Sequence, residues 1–161
     1  MPEIKAVMDK IGTGPSSLTV WTRNGTTSSG QSQESGSCTI ADYPFYRSGS
    51  RYQLQTSPAS WDAAVLDCQS NGARLVELAT AEEKQFVINQ VLSTLNGGTT
   101  AFIGLKKISD GWVWHTSGDA FNGVWATGYP GVDTHGTLEK NAGIQSAASF
   151  LPNAYICECQ V

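Results

Sequence analysis

Charge is scarce in this chain. Only 15% of its 161 residues are Asp, Glu, Lys or Arg, against the ~25% usual for a globular protein. Lys and Arg number 10 and Asp and Glu 14, a formal net charge of −4. A surface so sparse in charge, and acidic on balance, argues against electrostatic binding to nucleic acid. No run of ~18 apolar residues occurs, so no helix is expected to span a membrane. No apolar segment of about 7–15 residues follows the start, so no secretory signal is visible. Internal repeats are also lacking, and the acidic residues are dispersed rather than run together. The length suits one domain with an appended arm.

Cysteine is infrequent, yet its count is informative. Cys38, Cys68, Cys157 and Cys159 permit two disulfides in any of three connectivities. A zinc knuckle is disfavoured, because Cys157-Glu158-Cys159 lacks the two-to-four-residue gap and Cys38 and Cys68 offer no second pair. On a strand, Cys157 and Cys159 point to the same face, so each can bridge a different partner. Asn24-Gly25-Thr26 matches a glycosylation acceptor. These features lean towards an oxidising, extracellular setting, and a processed or truncated chain would reconcile that with the missing signal.

Residues 1–37 read as a flexible arm and 38–161 as the domain. Ile4 to Ile11 and Leu18-Thr19-Val20-Trp21 could form short pieces of structure. Asn24 to Ser37 is almost wholly Gly, Ser, Thr, Gln and Asn, too poor in apolar area to offset its ordering entropy. From Tyr43 the texture changes. Tyr43 to Tyr46 and Arg51 to Leu54 read as strands. Ser60 is placed to cap a helix through Asn71, with Trp61, Ala64, Val65 and Cys68 as its buried stripe and Gly72 as its stop. Thr80 and Glu83 form a capping box for a second helix. It carries Val87, Ile88, Val91, Leu92 and Leu95 inward and ends at Asn96-Gly97-Gly98. Strand periodicity follows at Ala101 to Leu105, Gly111 to His115 and Ala154 to Cys159. Between Thr116 and Ala142 no strong period is found, and a loop of that length is usually functional or misassigned. Helices followed by short strands make an α+β layout. Cys68 is well placed to meet the last strand. A Cys68–Cys157 bridge would leave Cys38 to pair with Cys159.

Trp61-Asp62-Ala63-Ala64, Cys68, Gly72-Ala73-Arg74-Leu75-Val76 and Ala81-Glu82-Glu83-Lys84-Gln85-Phe86-Val87 occur in order with four later pieces. These are Phe102-Ile103-Gly104-Leu105, Trp112-Val113-Trp114, Trp125 and Tyr155-Ile156-Cys157-Glu158. The series resembles the C-type lectin-like domain across about residues 43–159. That resemblance implies two helices packed on short, mostly antiparallel sheets with a long surface loop. The tryptophans at 61, 112 and 114 are read as packing residues rather than sugar platforms. Gly104 is read as a site of close backbone or ring approach.

The resemblance also implies a calcium ion held by carboxylates and amides that receive sugar hydroxyls, and here the pattern breaks. The family's Glu-Pro-Asn or Gln-Pro-Asp turn reads Gly128-Tyr129-Pro130-Gly131, and its later Trp-Asn-Asp segment reads Ala147-Ala148-Ser149-Phe150-Leu151-Pro152. Calcium needs six to eight oxygen ligands, so no metal is expected at that primary site. The family's second cysteine pair is missing too, with Ala142 and Ala147 to Ser149 standing near its place. The loop from Thr116 to Gln145 is then either looser or held by packing of Phe121, Trp125 and Tyr129. An auxiliary calcium site at Glu82, Glu83 and Glu158 matches a pattern of some family members. The blander reading of those residues is a helix-start carboxylate favoured by the dipole and an exposed Glu.

No nucleophile, third ligand or paired base accompanies Asp133 and His135, so no enzyme is expected. His135 is read as a solvated loop residue and His115 as a surface or packing one. The expectation is an extracellular recognition module that binds a glycan or an extracellular protein without the primary calcium site and with no cofactor. Asp119, Asn122, Trp125, Tyr129, Asp133, Glu139 and Asn141 are its candidate contacts, because binding residues concentrate on loops held by rigid scaffolds. The rival is a structural or adhesive protein of an extracellular matrix or biomineral.

Overall fold

The computed structural model describes residues 38–161. The arm, its short pieces and Asn24 lie outside the described residues. Strand β1 (Phe45–Arg47) turns into β2 (Ser50–Ala59), followed by helix α1 (Trp61–Ser70), β3 (Arg74–Leu75) and helix α2 (Ala81–Phe86). Then come β4 (Thr100–Ile108), β5 (Gly111–Trp114), β6 (His135–Glu139), β7 (Gly143–Ala147) and β8 (Asn153–Gln160). This is the α+β arrangement the order of elements predicts.

Helix α1 starts where the sequence says it should. Ser60 Oγ accepts from the amide of Ala63 at 3.2 Å, and Trp61, Ala64, Val65 and Cys68 are its buried residues. Helix α2 is capped by Thr80, whose Oγ1 accepts from Glu83 N at 3.0 Å. The reciprocal half of the box differs, because Glu83 reaches Ala79 N and the Tyr52 hydroxyl instead. The regular helix is also shorter than its pattern suggests. It widens into a π-turn at Val87–Val91 and tightens into a 3₁₀ turn at Leu92–Thr94. Bonding from i to i+5 brings residues four and five apart onto one side, and Val87, Val91 and Leu92 are all fully buried.

The strands form one hydrogen-bonded sheet rather than several, in the order β1-β2-β8-β4-β6-β7, with β3 added to β8 and β5 to β4. Among the described strands, β4–β8 is the parallel pair and the others are antiparallel. Alternation along its centre divides the core in two. Ile103 and Ile156 face a cluster with Val76, Val87, Val91 and Leu92, whereas Phe102, Tyr155 and Cys157 face Trp61 and Cys68. Both disulfides pair as expected. Cys68–Cys157 staples α1 to β8 with a Cα separation of 5.5 Å, and Cys38–Cys159 ties the start of the described chain to its end at 6.1 Å.

Gly104 sits where a Cβ would lie 2.9 Å from Leu75 O and 3.2 Å from Val76 O, so the chain crossing from β3 can lie directly on β4. Strands β6 and β7 correct the reading of an unbroken loop to Ala142. Each holds few strongly apolar residues, so neither shows the alternation that marks a strand. Pairing supplies what the pattern lacks: Leu138 stands opposite Ile144, and both are buried.

Candidate functional site

Residues 115–134 connect β5 to β6 and are held at several points without a disulfide of their own. Thr116 N and Ser117 N donate to Glu77 Oε2 at 2.7 and 3.3 Å. Glu77 is buried, and its other oxygen accepts from Arg74 Nη1 at 3.2 Å. Arg74 Nε in turn donates to Glu158 Oε1 at 3.3 Å, and Ser50 Oγ donates to Glu158 Oε2 at 2.9 Å. A buried polar chain therefore runs from the loop's first amides to β2. Such a network orders its members only when each group is satisfied.

The middle of the loop folds onto β5 and β7. Phe121 N donates to Trp112 O at 2.9 Å, and Ala126 N to Ile144 O at 2.8 Å. Trp125 rests edge-on against Trp112 and Phe121, with ring centroids 4.8 and 5.1 Å away. Phe121 continues the cluster to Trp114 at 5.7 Å. Offset and edge-on rings are the favourable arrangements, so packing of Phe121 and Trp125 does the work of the missing cysteine pair. Tyr129 takes no part in this cluster and is exposed. Beyond it, across the cis Tyr129–Pro130 peptide, Gly131 N donates to Ser146 Oγ at 3.0 Å. Lys107 N donates to Thr134 O at 2.8 Å and closes the loop.

The sequence-predicted contacts do not all meet. Asp119, Asn122 and Tyr129 lie on the exposed loop, and Asp133 is half-buried near its end. Trp125 is half-buried in the aromatic cluster, a support for the loop more than a free platform. Glu139 and Asn141 belong to the far end of β6, roughly 13 Å from His135 at the ~3.3 Å rise of a strand. There Glu139 Oε1 accepts from the amides of Asn141 and Ala142 at 2.7 and 2.6 Å. Burial pushes its carboxyl up, but those two amides, the Thr99 hydroxyl and Lys140 together outweigh it and hold the carboxyl below its ordinary range. Glu139 closes the β6–β7 turn, so it and Asn141 are separated from the loop edge.

At the near end, His135 of β6 stands opposite Ala147 of β7, so residues 129–134 and 148–152 leave the sheet side by side. Four large apolar side chains are exposed on these two segments: Val132 at 93%, Phe150 at 74%, Leu151 at 56% and Tyr129 at 37%. Of these, Tyr129 is among the sequence-predicted contacts, whereas Val132, Phe150 and Leu151 are not, because exposure of an apolar side chain is decided by the fold and not by its residue type.

The histidines also differ from expectation. His135 is not a solvated loop residue but the half-buried first residue of β6, its ring 4.5 Å from that of Trp61. His115 packs edge-on against the other side of the site at 5.1 Å from the same indole. Burial pulls both imidazoles below their ordinary pKa, with Lys106 adding to the effect. Trp61 itself donates through its indole N–H to Ile103 O and through its backbone to Ser149 O, both at 2.9 Å. Trp61 thus meets both ends of the loop through its indole and the β7–β8 connection through its backbone amide.

Metal-ligand chemistry fits this edge poorly. Neither Tyr129, Gly131, Ala147 nor Ala148 offers a side-chain carboxylate or amide, where a calcium ion needs six or more oxygens. The auxiliary set is no better. Glu158 accepts from Arg74, Ser50 and the Glu77 amide, and burial raises its carboxyl although Arg74 pulls the other way. Glu83 accepts from the Tyr52 hydroxyl at 2.8 Å, and Glu82 points to an exposed helix face. Among the described residues no three His, Cys, Asp or Glu side chains gather as a metal cluster.

Comparison with known proteins places this geometry. Residues 57–159 match the family described as the lectin C-type domain. Human lithostathine superposes with a TM-score of 0.67 at 20% identity, over 74% of this chain and 98% of that one. The carbohydrate-recognition domain of the mouse scavenger receptor C-type lectin gives 0.64 at 20% identity, over 72% and 92%. A calcium-independent type II antifreeze protein gives 0.63 at 17% identity, over 74% and 92%.

Proposed function

The chain belongs to the lectin C-type domain family, and on that premise we propose that it is an extracellular recognition module whose ligand docks on the loop edge without a primary calcium ion. The observation that carries this reading is the exposed group of Tyr129, Val132, Phe150 and Leu151. Tyr129, Phe150 and Leu151 stand in the two segments where the family resemblance calls for oxygen donors, and Val132 directly follows the first of them. Apolar patches exposed on a rigid scaffold mark interaction surfaces, and aromatic residues are enriched at protein interfaces. The patch favours a protein ligand over a sugar, because exposed apolar side chains suit a protein interface better than sugar hydroxyls. The mouse protein of this fold is a carbohydrate-recognition domain and the antifreeze protein is calcium-independent, so the fold accommodates both properties. Two disulfides suit an oxidising compartment.

The test is binding to arrays of glycans and of extracellular proteins, in calcium and in chelator. Equal binding in both buffers, lost on Val132→Asp and Phe150→Asp, supports the reading. Binding that vanishes in chelator, or that survives both substitutions, overturns it.

A further inference from the structure

We propose that His115 and His135 form an acid-sensitive anchor for residues 116–134, which mild acidification opens. The proposal rests on reading that loop as part of the recognition edge, and it adds a mode of regulation.

Position comes first. His115 directly precedes the loop and His135 directly follows it, and both rings pack on Trp61. The indole is buried and its N–H donates to Ile103 O, while the Trp61 backbone amide donates to Ser149 O. The residue at each end of the loop therefore has its ring lodged against one tryptophan.

Chemistry comes second. A neutral imidazole is one donor and one acceptor, but a protonated one is two donors and needs two acceptors or water. His115 Nδ1 is buried without a hydrogen-bond partner. His135 Nδ1 meets only the Thr134 hydroxyl, at 2.9 Å. Among the described residues, the charged groups facing the pair are Lys106 on β4, Asp62 on α1 and Glu77 beyond β3. Lys106 opposes ionisation of both rings, and an ionised His115 opposes that of His135. Asp62 favours ionisation of both but is exposed, and water screens it. Glu77 is already engaged by Arg74, Thr116 and Ser117. Burial is the largest influence on each ring, so the closed anchor holds both neutral. Opening lets water reach them, and proton uptake then draws the equilibrium towards the open form.

The test needs no ligand. Amide hydrogen exchange is measured at pH 7.5 and 5.5 and corrected for the intrinsic rate of each amide. Residues 116–134 should exchange faster at pH 5.5, by up to about tenfold for each histidine that ionises only on opening, while β2 and β8 stay unchanged. Replacing both by glutamine (His115→Gln, His135→Gln) should remove the difference. Should that variant not fold, His135→Gln alone must reduce it. In the unsubstituted protein, both ring resonances must titrate below pH 6.5 in step with the exchange. Equal protection of 116–134 at the two pH values, uniform acceleration across the sheet, or an unaltered response in the glutamine variants each overturns the anchor. A flat exchange profile leaves the recognition reading standing, and failed binding arrays leave the anchor standing, so the two fail separately.

Discussion

Glu77 Oε2 accepts from the amide of Thr116 at 2.7 Å, and this contact secures the first residue of the long loop to the buried interior. The same carboxylate is paired with Arg74. Glu77→Ala should cost about 1.5–3 kcal/mol, the range for hydrogen bonds to a charged group. Arg74 retains Glu158 as a partner, which keeps the loss below that of a fully orphaned buried charge. Urea unfolding measures the loss, and exchange at Thr116 and Ser117 should accelerate ahead of the sheet. A variant as stable as the parent would contradict the anchoring role.

The Cys68–Cys157 bridge joins residues 89 apart in sequence. In the chain-entropy account its removal by Cys68→Ala with Cys157→Ala costs about 4–5 kcal/mol. Both thiols lie in the core beside Trp61 and Phe102, so the alanines leave little polar debt. The urea midpoint should fall accordingly. A loss below about 1 kcal/mol would mean that helix α1 is held by packing alone.

Trp125→Ala should weaken stability before it reveals anything about recognition. It removes ring contacts to Trp112 and Phe121, and because Trp125 is half-buried the cost should be about 2–3 kcal/mol, under the ~3–5 of a full core truncation. Phe121→Ala combined with it should be less than additive, as residues in contact are. Thermal melts of the two single variants and the double variant measure this. Full additivity would show that the rings do not act as one support.

Acid should lower the melting temperature. His115 and His135 have folded pKa values below the unfolded ~6.5, so the unfolded chain binds more protons as pH falls. Their contribution is complete above pH ~6.5 and is lost as pH drops through the lowered folded values. Melts at pH 8, 6.5 and 5.5 should show a flat upper range and a decline below. His135→Gln should shallow that decline, and an unchanged slope would place the titration elsewhere.

Much of this fold was legible in the chain because local rules and burial agree there. Ser60, the Trp61 to Cys68 stripe and Gly72 mark α1 at both ends, and the structure follows them. Strands β4, β5 and β8 carry dense apolar runs and were equally readable. The site was less so. Its supports come from residues whose partners are distant in sequence: Glu77 with Thr116 across 39 positions, and Trp61 with His135 across 74. A signal for Glu77 was present, a charged residue within the apolar run from Leu75 to Leu78, since a buried charge needs partners.

What the sequence alone determined is the local vocabulary of caps and buried stripes, which follows from residue type and near-neighbour spacing. The loss of oxygen donors at positions 129, 131 and 147–150 was legible only through the family resemblance, and the cysteine pairing was one of three possible connectivities until the fold brought the sulfurs together. Only the tertiary structure decided that β6 and β7 exist, that Glu139 and Asn141 lie apart from the loop edge, and that two histidines share one indole. Those outcomes depend on strand register and on burial between segments far apart in the chain, and one strand's register against another is set by the packing of the whole sheet.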